Sequence, residues 1–160
     1  MKNKIIVVAS WVLVLFVMVM IFNFSSETGA VSTQTSADVV VEVLDVFMEK
    51  EEITTEVVQK FQFPIRKLAH FGIYMLLGFC VMNAIEKTFK FKIYLSVFLS
   101  FVFSFMYACS DEFHQSYTEN RGPSFIDVLI DSGGALVGIF TFILIIWLIN
   151  KFLKTRKSRT

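Results

Sequence analysis

Four stretches without a single charged residue set the terms for this chain of 160 residues: 5–22, 68–85, 93–110 and 132–150. Each is 18 or 19 residues long, close to the roughly 20 that carry a helix across a hydrocarbon core of about 30 Å. One such run could be a core helix of a water-soluble domain. Four leave too little polar chain to cover them. The composition agrees: the chain is 55% hydrophobic and only 18% charged, against about 45–50% and about 25% in an ordinary soluble domain. Nineteen phenylalanines beside two prolines and seven glycines exclude disordered, collagenous and low-complexity chains. The expectation is an all-α membrane protein, a bundle of four transmembrane helices. Lys2 and Lys4 give the first run the look of a signal peptide. Its length, and the poor cleavage site at Thr28-Gly29-Ala30, favour an uncleaved anchor instead.

The sparse charge is segregated. The N-terminus, the 86–92 loop and the basic tail 151–160 hold ten of the fifteen lysines and arginines, opposed only by Glu86. The remaining polar segments, 23–67 and 111–131, hold thirteen of the fourteen acids. Basic residues beside membrane helices stay on the cytoplasmic side, so both termini are expected there, with the two acidic segments outside. Tyr94 and Trp147 would lie near the inner interface and Tyr74 and Tyr107 near the outer one; Trp11 sits too deep for that pattern. A net charge of +1 gives no reason to expect a nucleic-acid partner. Membrane lipids are the expected surroundings, and the bacterial plasma membrane the expected location.

The outer segment, 30–62, reads as partly helical. Val39, Val40, Val43, Leu44, Phe47 and Met48 recur at helical spacing, with Asp38, Glu42, Asp45 and Glu49 between them and Ser36 as N-cap. A second short helix is expected from Thr54 to Phe61, with Pro64 opening the second membrane helix. An amphipathic lid without chemistry accounts for this pair. The two cysteines are not expected to bond. Cys80 lies fourteen residues after Arg66, about 21 Å into the membrane at the helical rise, whereas Cys109 lies near the outer end of its helix.

Three polar groupings converge at the outer ends of the helices. The first is Arg66-Lys67-Leu68-Ala69-His70-Phe71, with Tyr74 one turn on. The second is Ser110-Asp111-Glu112-Phe113-His114-Gln115, and the third is Arg121, Asp127 and Asp131. Helical spacing puts Lys67, His70 and Tyr74 on one face, Tyr107, Asp111 and His114 on another, and Asp127, Asp131, Gly134 and Gly138 on a third. Arg66 and Lys67 defy the charge rule, and attraction to the five nearby acids (Asp111, Glu112, Glu119, Asp127, Asp131) explains them. An ion-pair network tying helices together is one reading of the cluster. The other is a site, with Asp111, Glu112, His114 and His70 as candidate catalytic groups. Arg66, Lys67, Tyr74, Gln115, Arg121, Asp127 and Asp131 are then candidates for holding a substrate. Asp111 and His114 could share a divalent cation with His70, but there is no His-Glu-x-x-His pattern and no cysteine ligand nearby, so neither metal nor cofactor is expected. Gly134 and Gly138 form a G-x-x-x-G spacing for close helix packing, within the bundle or between copies in a homo-oligomer.

The motifs together resemble the VanZ-like membrane family. Arg66–Phe71 with Tyr74 and Leu77-Gly78 is similar to its second-helix signature, and Ser110–Gln115 to its S-D-E-x-H-Q block. Arg121, Asp127-Val128-Leu129-Ile130, Gly134 and Gly138 resemble its R…D-v-l-i-N-x-x-G pattern, and Phe24-Ser25-Ser26 its F-S-S-Q stretch. The resemblance makes residues 1–160 one VanZ-like domain. Asp131 stands where that family usually has asparagine, and Glu27 where it often has glutamine. The family is named for a protein linked to low-level teicoplanin resistance, which implies a role in the cell envelope and, as partner, a lipid-linked envelope precursor or a glycopeptide. Three readings stay open: a non-enzymatic envelope protein, an intramembrane hydrolase or transferase on a lipid-linked substrate, and a small transporter subunit.

Overall fold

The computed structural model describes residues 2–26, 29–49, 52–117 and 124–157. Five helices account for nearly all of them: α1 (Lys2–Ser25), α2 (Gly29–Leu44), α3 (Thr55–Thr88), α4 (Ile93–Gln115) and α5 (Phe125–Lys157). All but α2 are long and apolar enough to span a membrane. The four spans run up, down, up and down. α1 lies antiparallel to α3: toward one end Asn83 donates to Ser10 (3.2 Å) and Trp11 donates from Nε1 to the Thr88 hydroxyl (2.9 Å), whereas toward the other Ile21 and Phe24 border one cavity with His70 and Ile73. α1 and α4 run parallel, with the Tyr107 hydroxyl donating to the Met18 carbonyl at 2.6 Å.

Helix α3 packs against every other helix. Its partnership with α5 is the closest in the bundle, because side chains there have been reduced to hydrogen. A β-carbon on Gly138 would collide with the Met75 carbonyl oxygen, one on Gly134 with the Phe71 oxygen, and one on Gly78 with the Ala135 oxygen. The G-x-x-x-G spacing is therefore occupied by α3 of the same chain. In lipid the tails are as apolar as leucine, so helices associate through such close packing and through polar contacts. The exterior shows the matching inversion: Ile5, Phe16, Phe140 and Ile145 are exposed, whereas Ser96, Ser100, Ser104 and Ser132 are buried. Buried serine hydroxyls donate to the carbonyl four residues back, as from Ser100 to Ser96 and from Ser132 to Val128. Such hydroxyls leave the low-dielectric interior no unpaired donor; the buried Ser96 hydroxyl, without a partner among the described residues, is an exception. Apolar packing fills the rest of the centre, with Val14, Val17, Ile21, Leu77, Val81 and Ala84 buried together.

The helices overrun the uncharged stretches. At 34 residues, α3 is about 50 Å long, and it absorbs both the short helix expected at Thr54–Phe61 and the membrane helix expected to begin at Pro64. Thr54 is the N-cap, its hydroxyl accepting from the Val57 backbone, and Pro64 lies inside the helix. Proline removes one helical hydrogen bond and bends the axis, and membrane helices tolerate it. The helix continues through Arg66 and Lys67: Lys67 pairs with Asp127 on α5, and Arg66 lies over the Phe63 ring one turn back. Ser36 likewise is interior to α2, which starts at Gly29 and stops at Leu44, so Phe47 lies beyond it. α2 packs on α3 alone among the helices with substantial contact, aided by a hydrogen bond from the Gln62 amide to the Thr33 carbonyl. Cys80 and Cys109 are free thiols. Tyr74 is not an interfacial belt residue; it is fully buried. Trp11 is placed by its bond to Thr88 rather than by the membrane surface.

The glycine contacts yield a paired test. Gly138→Val drives a side chain into backbone, which cannot yield as a side chain does, and the cost should exceed the about 1–3 kcal/mol of ordinary overpacking. Gly72 meets nothing within 4 Å, so Gly72→Ala should hold or raise stability by up to about 1 kcal/mol. Thermal unfolding of the two variants in detergent should separate them clearly.

Candidate functional site

The C-terminal ends of α1 and α4, the N-terminal end of α5 and the middle of α3 meet at one end of the bundle, and the ionisable groups collect there in two layers. The outer layer couples helices by charge. Lys67 on α3 forms an ion pair with Asp127 on α5, both partly buried, and the same ammonium lies 5.0 Å from the Phe63 ring centre. Asp127 stands in the first turn of α5, where the partial positive charge of the helix end favours a carboxylate. Glu112 on α4 accepts a hydrogen bond from the Ser124 backbone N–H just before α5. That contact joins the end of one span to the start of the next.

The inner layer consists of His70 on α3, Asp111 on α4 and Asp131 on α5. One ligand atom from each lies within 4.8 Å of the others. Asp111 is 4% exposed and Asp131 3%. The Gln115 amide donates to Asp111 Oδ2 at 3.2 Å, and Ser25 and Tyr74 flank the same carboxylate. Asp131 Oδ1 is buried and receives no hydrogen bond among the described residues. A histidine between two carboxylates is equipped for proton transfer or for holding a cation. The parallel course of α3 and α5 assembles this layer. Lys67 meets Asp127, His70 meets Asp131, and Phe71 meets Gly134, each pair stepping along both helices together.

Two cavities of about 270 Å³ approach the layer from different sides. The first runs between α1, α2 and α3; Ile21, Phe24, Val39 and Ile73 line it, with Arg66 and His70 as its charged and titratable groups. The second is bordered by Phe22, Tyr107, Asp111, His114 and Tyr117. His70 thus borders one cavity and Asp111 the other.

Of the residues singled out from the sequence, Lys67, His70, Tyr74, Asp111, Glu112, Gln115, Asp127 and Asp131 come together here. His114 does not join His70. It stacks on Phe22 with ring centres 4.7 Å apart and shares a hydrogen bond with the Ser26 hydroxyl at 3.3 Å. The cation set contemplated from sequence, His70 with Asp111 and His114, is therefore replaced by His70 with Asp111 and Asp131. Arg66 lies 6.0 Å from the Phe63 ring centre, at the cavity wall. Arg121, Glu119 and Glu27 fall outside the described residues. Ser25 beside Asp111 was not among the candidates, although its place in the Phe24-Ser25-Ser26 stretch was a signal.

The VanZ/LLP1 family model matches residues 10–148 of the sequence. No curated protein and no solved structure matches it.

The Lys67–Asp127 pair should act as a unit. Lys67→Met alone leaves a partly buried carboxylate uncompensated, whereas Lys67→Met with Asp127→Asn removes both charges. A double-mutant cycle on thermal unfolding should give a coupling of about 1–3 kcal/mol. Additive effects would show that the pair contributes nothing to holding α3 against α5.

Proposed function

Because the chain belongs to the VanZ/LLP1 family, we propose that it is a multi-pass protein of the bacterial plasma membrane that alters the presentation of a lipid-linked envelope component. That role would lower susceptibility to glycopeptides such as teicoplanin. The observation that carries this reading is the apolar cavity between α1, α2 and α3, with Arg66 and His70 in its wall. An acyl or prenyl tail suits the apolar lining, and an anionic headgroup suits a guanidinium, whose planar fork matches phosphate or carboxylate. The segregation of basic from acidic segments supports placing this end of the bundle at the outer membrane face. No nucleic acid enters this reading.

A second reading, an intramembrane hydrolase or transferase on the same class of substrate, is favoured by one observation. His70 borders the cavity and also stands beside two buried carboxylates, the arrangement of a general base with groups that orient it.

Membrane abundance and phenotype together test both readings. Arg66→Ala, His70→Ala and Asp111→Asn variants should reach the membrane at levels near that of the parent chain and lose its effect on teicoplanin susceptibility. A uniform loss of abundance would reduce the cluster to a scaffold. An enzyme should in addition leave its lipid-linked substrate accumulated in cells that carry the His70→Ala chain. For the orientation, a Glu119→Cys chain that also carries Cys80→Ala and Cys109→Ala should react with an impermeant thiol reagent on intact cells. Protection from that reagent would reverse the topology.

A further inference from the structure

The buried inner layer contains a balance problem that the envelope reading does not address. Asp111 and Asp131 hold carboxylates from two different helices at 4% and 3% exposure, close enough that each offers an oxygen within 4.8 Å of the other. Like charges at such a separation repel strongly where water is excluded. The nearest lysine, Lys67, is engaged with Asp127. Each of the two buried carboxylates also keeps an oxygen, Oδ1, without a hydrogen bond among the described residues. Satisfying both oxygens calls for a group that lies between them and carries positive charge. The third wall of the space is an imidazole, the commonest protein ligand for metals.

We propose that His70, Asp111 and Asp131 bind one divalent transition-metal cation. Two carboxylates and a dication sum to zero, which removes the repulsion and gives both buried oxygens a partner. At ligand distances of about 2.0–2.2 Å, two ligands of one ion stand at most about 4.4 Å apart. The three atoms, already within 4.8 Å, need only small side-chain rotations to close on it. One nitrogen and two oxygen ligands favour Zn²⁺, Mn²⁺ or Fe²⁺ over Mg²⁺, which prefers oxygen alone and retains its waters. Three protein ligands leave at least one coordination position for water or for an oxygen of a bound molecule. Gln115, donating to Asp111 Oδ2, would orient that carboxylate from behind, as outer partners of metal ligands do. His114, stacked on Phe22, stands apart from the set.

The proposal stands whether or not the chain alters the envelope, and it is tested on the purified protein. The full chain, without a polyhistidine tag, is stripped with chelator in detergent and titrated with Zn²⁺ and with Mn²⁺. Elemental analysis after desalting and the visible absorption of a Co²⁺-loaded sample provide independent readouts. About one ion per chain is expected, together with a rise in thermal stability that the chelator reverses. Asp131→Asn and His70→Ala should weaken binding tenfold or more, while His114→Ala keeps the parent affinity. Asp131→Asn is the informative variant, because removing one of two facing carboxylates should leave the ion-free protein at least as stable as the parent. It should then fold and yet lose the stabilisation by the ion. Failure of the parent chain to bind either ion above a detergent blank would overturn the proposal and leave a shared proton as the means of balancing the pair. So would an Asp131→Asn chain that binds as the parent does, or a His114→Ala chain that loses as much as His70→Ala.

Discussion

Backbone-to-backbone contact between α3 and α5 is the constraint on which the rest of this bundle depends. Gly78, Gly134 and Gly138 each face a carbonyl oxygen where a β-carbon would collide, so the two helices touch without intervening side chains. That closeness also fixes register. With Phe71 seated on Gly134 and Met75 on Gly138, the residues within the two preceding turns have their partners set: Lys67 meets Asp127 and His70 meets Asp131. The polar layers are therefore consequences of packing further along the same two helices. A membrane interior gives helices little reason to associate through apolar burial. Small residues and satisfied polar groups supply the specificity that a hydrophobic core supplies in water.

The two polar layers differ in their accounts with the surroundings. In the outer layer charges are matched: Lys67 with Asp127, and Glu112 with the backbone at the start of α5. The pairing with Asp127 explains why Lys67 sits in a segment where positive charge is otherwise sparse. The inner layer has two buried carboxylates and a histidine, with oxygen atoms that no protein donor reaches among the described residues. A matched layer explains itself structurally. An unmatched one points to something the chain binds or exchanges.

Much of the architecture was legible because hydrocarbon thickness imposes a length and charge avoids lipid. The four uncharged runs mark all four spans. Helix ends were less legible, for a specific reason. A run ends at its first charged residue, but α3 continues through Arg66 and Lys67, and Lys67 finds a partner, Asp127, sixty residues away in sequence. Pro64 read as a helix start by local rules, whereas the cap that operates is Thr54. For the site, the individual residues were legible and their grouping was not. His70, Asp111 and His114 sit at tempting spacings, yet His114 turns toward Phe22 and Asp131 takes its place. That choice is made by helix register across the bundle, which sequence spacing within one helix does not encode.

The inversion of the molecule, with phenylalanine and isoleucine outside and serine and glycine inside, bears on how such a chain can drift over generations. Lipid tails conform to almost any apolar outline, so substitutions among the outward positions of α1 and α5 pass with little consequence, and distant relatives can share few letters there. The inward serines and glycines have no such latitude. Descent in a protein of this kind is recorded on its least hydrophobic face.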